Sequence, residues 1–286
     1  MLLNRFSSAA TSRIHRVYSS ATTMASPPEE SADSSSGRTE ELLNCFSGIK
    51  QQVDQAASGR KVRLVAVSKL KPASDILTLH RETGHIHFGE NYVSELQQKA
   101  KTLPDDIKWH FIGALQSNKC KILGAIPNLF AVETVDSLHK AELLEKSRSG
   151  LASSTPVDPL EIYLQVNTSE ESTKAGFIVQ LDQPLSSSAL HSTAKFIKQD
   201  CRWLKLAGLM TIGSITQSKS DQGTNKDFQR LVQLRDQLSE SLGGPQLGLS
   251  MGMSADFALA IKMGSNNVRV GSSIFGERPP FKKPET

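Results

Sequence analysis

The stretch VRLVAVSKLKPASDI, at residues 62–76, decides the fold class of this 286-residue chain. Its first half is a run of aliphatic, mostly β-branched residues, which is typical of a strand buried on both faces. The run ends at Lys69, and Pro72 then starts a helix that ends at Gly84, since proline is favoured in the first helical turn and glycine after the last. A buried strand followed at once by a helix predicts a parallel α/β fold with Lys69 at the carboxyl end of the first strand.

The same alternation of strand and helix continues along the chain. The predicted strands are residues 62–68, 85–90, 108–113, 129–135, 160–167, 203–211, 247–252 and 267–271. A leading helix over about residues 38–57 precedes them. Eight βα units in about 230 residues predict a single (β/α)8 barrel of the TIM type, and a doubly wound open sheet is the alternative.

Apolar stripes at helical spacing support the predicted helices. One stripe comprises Tyr92, Val93, Leu96 and Ala100, and a longer one lies between residues 228 and 242, before Gly-Gly-Pro. Ser254 is the predicted N-cap of a helix that contains Phe257 and Ile261. These stripes predict helices whose apolar faces pack on the barrel.

Composition excludes several classes of protein. The formal net charge is +4. The sequence has no cluster of Lys and Arg interleaved with aromatic residues, so it does not predict a nucleic-acid partner. Cys45, Cys120 and Cys201 are isolated, which argues against a disulfide framework or a zinc site. No run approaches the roughly 20 apolar residues of a membrane span.

The first residues are typical of a targeting segment. Arg5, Arg13 and Arg16 stand among Ser, Thr and Ala, and no acidic residue precedes Glu29. This composition predicts a mitochondrial or plastid transit peptide, and Met24 could start a cytoplasmic form. The predicted division is therefore 1–37 as a targeting or disordered segment, 38–280 as the barrel and 281–286 as a tail.

Barrel active sites lie at the carboxyl ends of the strands, so the residues there are the candidates. The strand-end residues are Lys69, Glu90, Asn91, Gly113, Glu133, Asn167, Met210, Thr211, Ser250, Met251, Arg269 and Gly271. The last two loops, SMGMS (250–254) and GSSIFG (271–276), occupy the usual phosphate position of barrels and offer backbone N–H groups and hydroxyls. A lysine near a phosphate site predicts a phosphorylated carbonyl ligand held as a Schiff base, although a strand-end lysine can also simply extend into solvent.

Six motifs give the chain a family resemblance over about residues 40–278. They are VAVSKLKP, HFGENYVSELQQK, WHFIGALQSNK, VNTSEESTKAGF, GLMTIG and LSMGMSADFALAIKMGSNNVRVGSSIFGER. In this order they resemble the pyridoxal phosphate homeostasis proteins. The resemblance implies a barrel like the N-terminal domain of alanine racemase, with pyridoxal 5'-phosphate (PLP) bound as an aldimine on Lys69.

The resemblance also implies the other residues of the site. Ser250, Gly271 and Ser272 would hold the phosphate, and Arg269 would face the pyridine nitrogen. The cofactor-binding residues it implies are Lys69, Asn91, Met210, Thr211, Ser250, Met251, Arg269, Gly271 and Ser272, with no catalytic residue and no metal ligand. His110 is expected to pack inside the barrel.

Two functions remain open, a PLP carrier and a PLP-dependent amino-acid racemase. The resemblance implies a carrier that supplies apo-enzymes, as a monomer or a homodimer. Racemases place a tyrosine four residues after the lysine, where this chain has Ala73. They take a second tyrosine from a further C-terminal domain, and the sequence is expected to lack that domain. Tyr92 and Tyr163 are the tyrosines available in the body of the chain. The carrier, without vigorous turnover, is therefore the expected function, and a degenerate barrel that scavenges phosphate compounds is a third possibility.

Overall fold

A computed structural model describes residues 32–180, 183–218 and 223–277 of the chain. The predicted targeting segment falls almost wholly outside these residues, as does the tail at 281–286. The described helices include none that is long and apolar enough to cross a bilayer. Within the same ranges, no group of three or more His, Cys, Asp or Glu side chains could hold a metal ion.

Eight parallel strands close into one barrel in the order β1 to β8, so the barrel prediction is confirmed and the open sheet is excluded. The strands are β1 (Arg63–Val67), β2 (His87–Glu90), β3 (Lys108–Phe111), β4 (Leu129–Val135), β5 (Leu160–Gln165), β6 (Leu204–Met210), β7 (Gly248–Ser250) and β8 (Asn267–Val270). Each lies within a predicted segment. β1 closes the barrel by pairing with β8, with Ala66 opposite Val270.

Helices follow each strand and pack around the barrel. They are α1 (Ala32–Ala57), α2 (Ala73–Thr83), α3 (Val93–Thr102), α4 (Cys120–Gly124), α5 (Leu138–Ala152), α6 (Ala189–Gln199), α7 (Ile215–Ser218), α8 (Lys226–Leu242), α9 (Phe257–Lys262) and α10 (Ser272–Phe275). α2 follows Pro72 and ends at Gly84, whose φ of +67° is the left-handed conformation that glycine favours. α1 begins at Ala32, before the predicted start at residue 38, and packs on α2, α9 and α10.

Two details of the helices differ from the sequence predictions. The sequence predicts Tyr92 as part of the apolar stripe of α3, but it is the N-cap residue and 49% exposed. The N-cap of α9 is Asp256, and Ser254 lies in the loop before it. A side chain at a helix boundary does not follow the helical periodicity of the residues after it, which explains the error at Tyr92.

The pleat of the strands divides their side chains between the barrel interior and the surrounding helices. Side chains from β3, β4, β7 and β8 meet each other, and these strands are not all neighbours, so the meeting point is the interior. Val65 lies opposite Arg269 of this group, and an added Cβ on Gly89 of β2 would lie 3.0 Å from Val65 Cγ1. β1 therefore turns Val65 inward and Ala66 outward, toward the hydrophobic core beneath the helices.

Candidate functional site

The lysine at the end of β1 lies on a tight turn at the carboxyl rim of the barrel. The Lys71 N–H donates to the Ser68 carbonyl at 3.0 Å, which closes a turn over residues 68–71. Lys69 is half-buried in this turn. Leu70 follows with a φ of +61°, a left-handed conformation that is unfavourable for a side chain of its kind.

Hydroxyl and backbone donors come together beside this turn, at the ends of β7 and β8. The Gly271 N–H donates to Ser254 Oγ at 3.3 Å, and the Ser254 and Ser272 hydroxyls are 3.3 Å apart. An added Cβ on Gly271 would lie 3.2 Å from the Val67 carbonyl oxygen, so β8 runs close against the strand that carries Lys69. The structure thus brings the predicted Gly271 and Ser272 together near the predicted lysine.

Ser254 joins this group, although the sequence predicts it as a helix N-cap at the end of the loop SMGMS and not as one of the named phosphate-binding residues. Its position depends on Gly252, whose φ of +99° turns the loop. A Cβ on Gly252 would lie 2.5 Å from Ala260 Cβ, a distance that real contacts do not reach, so glycine is required there. Of the two serines in SMGMS, Ser254 is the one at the rim.

Ser250 instead points into the barrel, where it lies between two buried charges. Its hydroxyl donates to Glu133 Oε2 and accepts from Arg269 Nη1. The Asn267 amide also donates to it, at 3.0 Å. These partners occupy the Ser250 hydroxyl, so its role at a phosphate gains no support from the geometry and stays a prediction.

Arg269 lies at the floor of the site and is fully enclosed by the barrel. Its Nη2 donates to the Thr211 carbonyl at 2.9 Å, and its Nη1 is 3.8 Å from Glu133 Oε2. Burial lowers the pKa of the guanidinium, and the charge of Glu133 opposes this. Arginine stays protonated even when it is buried, so Arg269 is a buried positive charge whose direction is fixed by its bonds to Thr211 and Ser250.

Glu133 is the centre of the polar network inside the barrel. It accepts from His110 Nδ1 at 2.7 Å and from the Asn267 amide at 3.1 Å, besides the Ser250 hydroxyl. Burial alone would raise its pKa, but the hydrogen bond from His110 and the charge of Arg269 outweigh burial and lower the pKa to about 2. Glu133 is therefore ionised, and it balances the charge of Arg269.

Two histidines continue this network toward the opposite end of the barrel. His110 is fully buried, as expected, and its Nε2 is 2.9 Å from His87 Nδ1. Burial lowers the pKa of both rings, to about 2 at His87, so both are neutral. A neutral His110 that donates from Nδ1 to Glu133 must accept at Nε2, and the His87 Nδ1–H is then the donor. The tautomers of both rings follow from the carboxylate.

The remaining predicted residues occupy different environments. Asn91 is half-buried, and its Oδ1 has no hydrogen-bond partner among the described residues although solvent does not reach it. Thr211 is buried and its hydroxyl meets that of Thr168 at 2.8 Å, while Met210 is buried beside it at the end of β6. Met251 lies in the hydrophobic core, so its predicted place in the site gains no support either.

Comparison with known proteins identifies the family. Residues 49–279 match the family model described as alanine racemase, N-terminal domain. The Schizosaccharomyces pombe pyridoxal phosphate homeostasis protein is 47% identical over 242 residues, which cover 84% of this chain and 94% of that protein. The Mus musculus protein of the same name is 45% identical, over 82% of this chain and 86% of that one. This chain belongs to the pyridoxal phosphate homeostasis protein family.

Solved structures agree with this membership in the family. PipY of Synechococcus elongatus, solved with PLP bound, is 29% identical with a TM-score of 0.64, and the match covers 82% of this chain and all of PipY. An alanine racemase of Clostridium difficile is 18% identical with a TM-score of 0.58, over 84% of this chain and 57% of the racemase. The racemase shares the fold, and PipY shares the fold over its whole length.

Proposed function

We propose that this protein binds PLP covalently at Lys69 and serves the intracellular homeostasis of PLP. The observation that carries the proposal is the convergence of Ser254 Oγ, the Gly271 N–H and Ser272 Oγ beside the turn that carries Lys69. Three polar groups of this kind suit a phosphate, and an amine next to them suits an aldehyde. Relatives named pyridoxal phosphate homeostasis protein, and PipY with its bound PLP, support the same ligand.

The other residues of the site also fit PLP. Asn91 Oδ1, which has no hydrogen-bond partner within the described ranges, leaves a polar atom for a ligand to satisfy. Arg269 would meet the pyridine nitrogen, and its guanidinium would donate a hydrogen bond to that nitrogen without giving up its proton. When bound, PLP supplies an aldehyde that condenses reversibly with amines and a ring that can accept electrons. An unprotonated ring nitrogen makes the ring a weak electron acceptor, which favours storage of the cofactor over carbanion chemistry.

The tyrosines of the described residues give the racemase alternative no support. The hydroxyl of Tyr163 is 3.4 Å from Arg63 Nη1, at the first residue of β1 and therefore far from the rim. Burial raises the pKa of Tyr163, so its hydroxyl stays protonated and cannot act as a phenolate base. Tyr92 is at the rim, but it is half-exposed and water reaches it. Neither is placed as an enclosed acid or base.

Apolar side chains around the rim support delivery of PLP to apo-enzymes. The structure exposes six large apolar side chains among the described residues, and all six follow the carboxyl ends of strands, five in loops and Leu138 at the first residue of α5. They are Leu70, Tyr92, Leu138, Ile178, Ile212 and Met253. Exposed apolar residues gathered around a ligand site are typical of a protein contact. We therefore include an apo-enzyme that takes PLP directly from this rim in the proposal.

Lys69→Ala tests the covalent site. Borohydride reduction of the PLP-loaded wild type should add one pyridoxyl phosphate group to the peptide that contains Lys69, and the variant should lose both this label and the visible absorbance of bound PLP. Lys71→Ala, two residues away, is the matched control and should be labelled at Lys69 as wild type is. Label on any other lysine of the wild-type protein would contradict the assignment.

Exchange of amino-acid α-protons in deuterated water separates the carrier from the racemase. We expect no exchange above the rate of free PLP when the loaded protein meets a mixture of amino acids. Transfer is measured in parallel as the activity regained by an apo PLP enzyme, and it should exceed the activity that the same amount of free PLP restores in the presence of a PLP scavenger. Exchange that depends on Lys69 would instead make this protein an enzyme.

A further inference from the structure

Three charged residues of the motif HFGENYVSELQQK have no role in the site described above. Glu90 ends β2, and Glu95 and Lys99 lie one turn apart on α3. Their side chains meet on the outer face of the barrel wall, beneath α3 and behind the turn that carries Lys69. Glu90 is fully buried and Lys99 nearly so, which is unusual for these residue types.

Lys99 ties these groups to the backbone at Ser68, directly after β1. Its Nζ donates to the Ser68 carbonyl at 2.9 Å, to Glu90 Oε1 at 2.8 Å and to Glu95 Oε1 at 2.7 Å. An ammonium group has three donors, so these three bonds use all of them. The geometry therefore fixes Lys99 relative to β1, β2 and its own helix at once.

The bonds from this group reach the residues on both sides of Lys69. On one side Lys99 holds the Ser68 carbonyl, and the Ser68 hydroxyl donates to Glu90 Oε1 at 2.7 Å. On the other side the Leu70 N–H donates to Glu95 Oε1 at 2.7 Å. Leu70 has a left-handed backbone, and a residue of this type keeps that conformation only when its surroundings hold it. The carboxylate of Glu95 is such a constraint.

We propose that Lys99, Glu90 and Glu95 form a clamp that positions Lys69 for the aldehyde of PLP by holding the turn over residues 68–71. The inference rests on the proposed function and adds three positioning residues to it. A purely structural link between α3 and the barrel would be served as well by apolar side chains, because a buried ion pair contributes little net stability. The clamp instead fixes one strained turn, and that turn carries the lysine.

The charge balance of the clamp makes it sensitive to pH. Lys99 and Glu95 of α3 are the charged groups that act on Glu90, and the turn after β1 contributes the Ser68 hydroxyl. Burial raises the pKa of Glu90 to about 7, and Lys99 opposes that effect. Protonation of Glu90 removes its ion pair with Lys99, so the clamp should loosen below about pH 7 and tighten above it. Glu90→Gln has the charge of the protonated form at every pH and should remove this component of the pH dependence.

Lys99→Met, matched with Lys101→Met, tests the clamp. Lys101 is exposed on the same helix. The measurements are the apparent dissociation constant for PLP from an absorbance titration, the fraction of protein trapped at Lys69 by borohydride, and the thermal midpoint without PLP. Lys99→Met should bind PLP about tenfold more weakly, because the turn then samples other conformations. Lys101→Met should bind as wild type does, and Lys99→Arg should restore part of the loss.

Each outcome decides between the clamp and a structural role. A Lys99→Met protein that binds PLP within twofold of wild type overturns the clamp, whether or not its thermal midpoint falls. Should Lys99→Met not fold, Glu90→Gln decides: a pH profile of PLP affinity identical to wild type overturns the clamp, and a flatter profile supports it. If borohydride traps PLP at Lys69 of the wild-type protein, the proposed function stands even when the clamp is refuted. If no PLP is trapped at Lys69, both the proposed function and the clamp are refuted.

Discussion

Replacing Glu133 by Gln should destabilise the barrel strongly, because it removes the charge that balances Arg269. The pKa of Glu133 is lowered, so the folded state favours the ionised carboxylate over an uncharged group at this position. Breaking a buried ion pair by loss of one partner typically costs about 3 to 5 kcal/mol. For a domain of this size the loss corresponds to a fall in the thermal midpoint of roughly 10 °C.

Urea denaturation of wild type, Glu133→Gln and Glu161→Gln measures this cost. Glu161 is the matched control, because it pairs with Arg63 at 3.0 Å where both side chains keep some contact with solvent. Loss of that pair should cost about 1 kcal/mol or less. The reasoning would be refuted if Glu133→Gln lost no more than the control, since the charge of Arg269 would then be balanced by something other than Glu133.

Three further predictions concern the two serines and the pH dependence that Glu133 and Glu90 give to stability. Ser254→Ala should weaken PLP binding about tenfold in a titration and leave the label at Lys69 intact. Ser250→Ala should mainly lower the free energy of unfolding measured by denaturation. The reverse pattern would indicate that Ser250, and not Ser254, holds the phosphate. The pKa of Glu133 is depressed, so its contribution to stability is present above about 4.5 and lost as the pH falls toward 2, and the difference in unfolding free energy between wild type and Glu133→Gln should shrink over that window. The pKa of Glu90 is raised, so its contribution is present below about 4.5 and lost as the pH rises through about 7, and Glu90→Gln should flatten that second slope.

The barrel could be predicted from the sequence because each strand and helix carries a local pattern. β1 is a continuous apolar run, α2 begins after Pro72, and Gly84 ends it. Lys69 could be predicted for the same reason, since a residue at the end of a parallel strand must lie at the rim. Each of these inferences needs only neighbours in sequence.

The assignment of the two serines in SMGMS could not be made in this way. β7 is only three residues long, and it ends at Ser250. Whether Ser250 belongs to the strand or to the loop decides whether it faces the interior or the rim, and a three-residue strand gives no periodicity to settle that question. The partners that fix Ser250 inside are Glu133 of β4 and Arg269 of β8, and both lie outside the strand that contains Ser250. Signals of this kind exist only in the folded chain.

Two of the buried charge groups in the described part of the chain lie on opposite faces of the barrel wall, and both border the proposed PLP site. Glu133 and Arg269 are inside, at its floor, and Glu90 and Lys99 are outside, behind the turn of Lys69. Each group costs desolvation that apolar residues would avoid, so stability alone does not account for either one. Each group instead orients a side chain of the proposed site. The inner group orients the guanidinium of Arg269, and the outer group orients Lys69 by holding the backbone of its turn. A site that only binds PLP would still use both groups, because Arg269 would contact the pyridine ring while Lys69 reacts with the aldehyde. If Lys99→Met weakens binding of PLP while Glu133→Gln mainly lowers stability, the outer group serves the ligand and the inner group serves the fold, and the two can be separated by experiment.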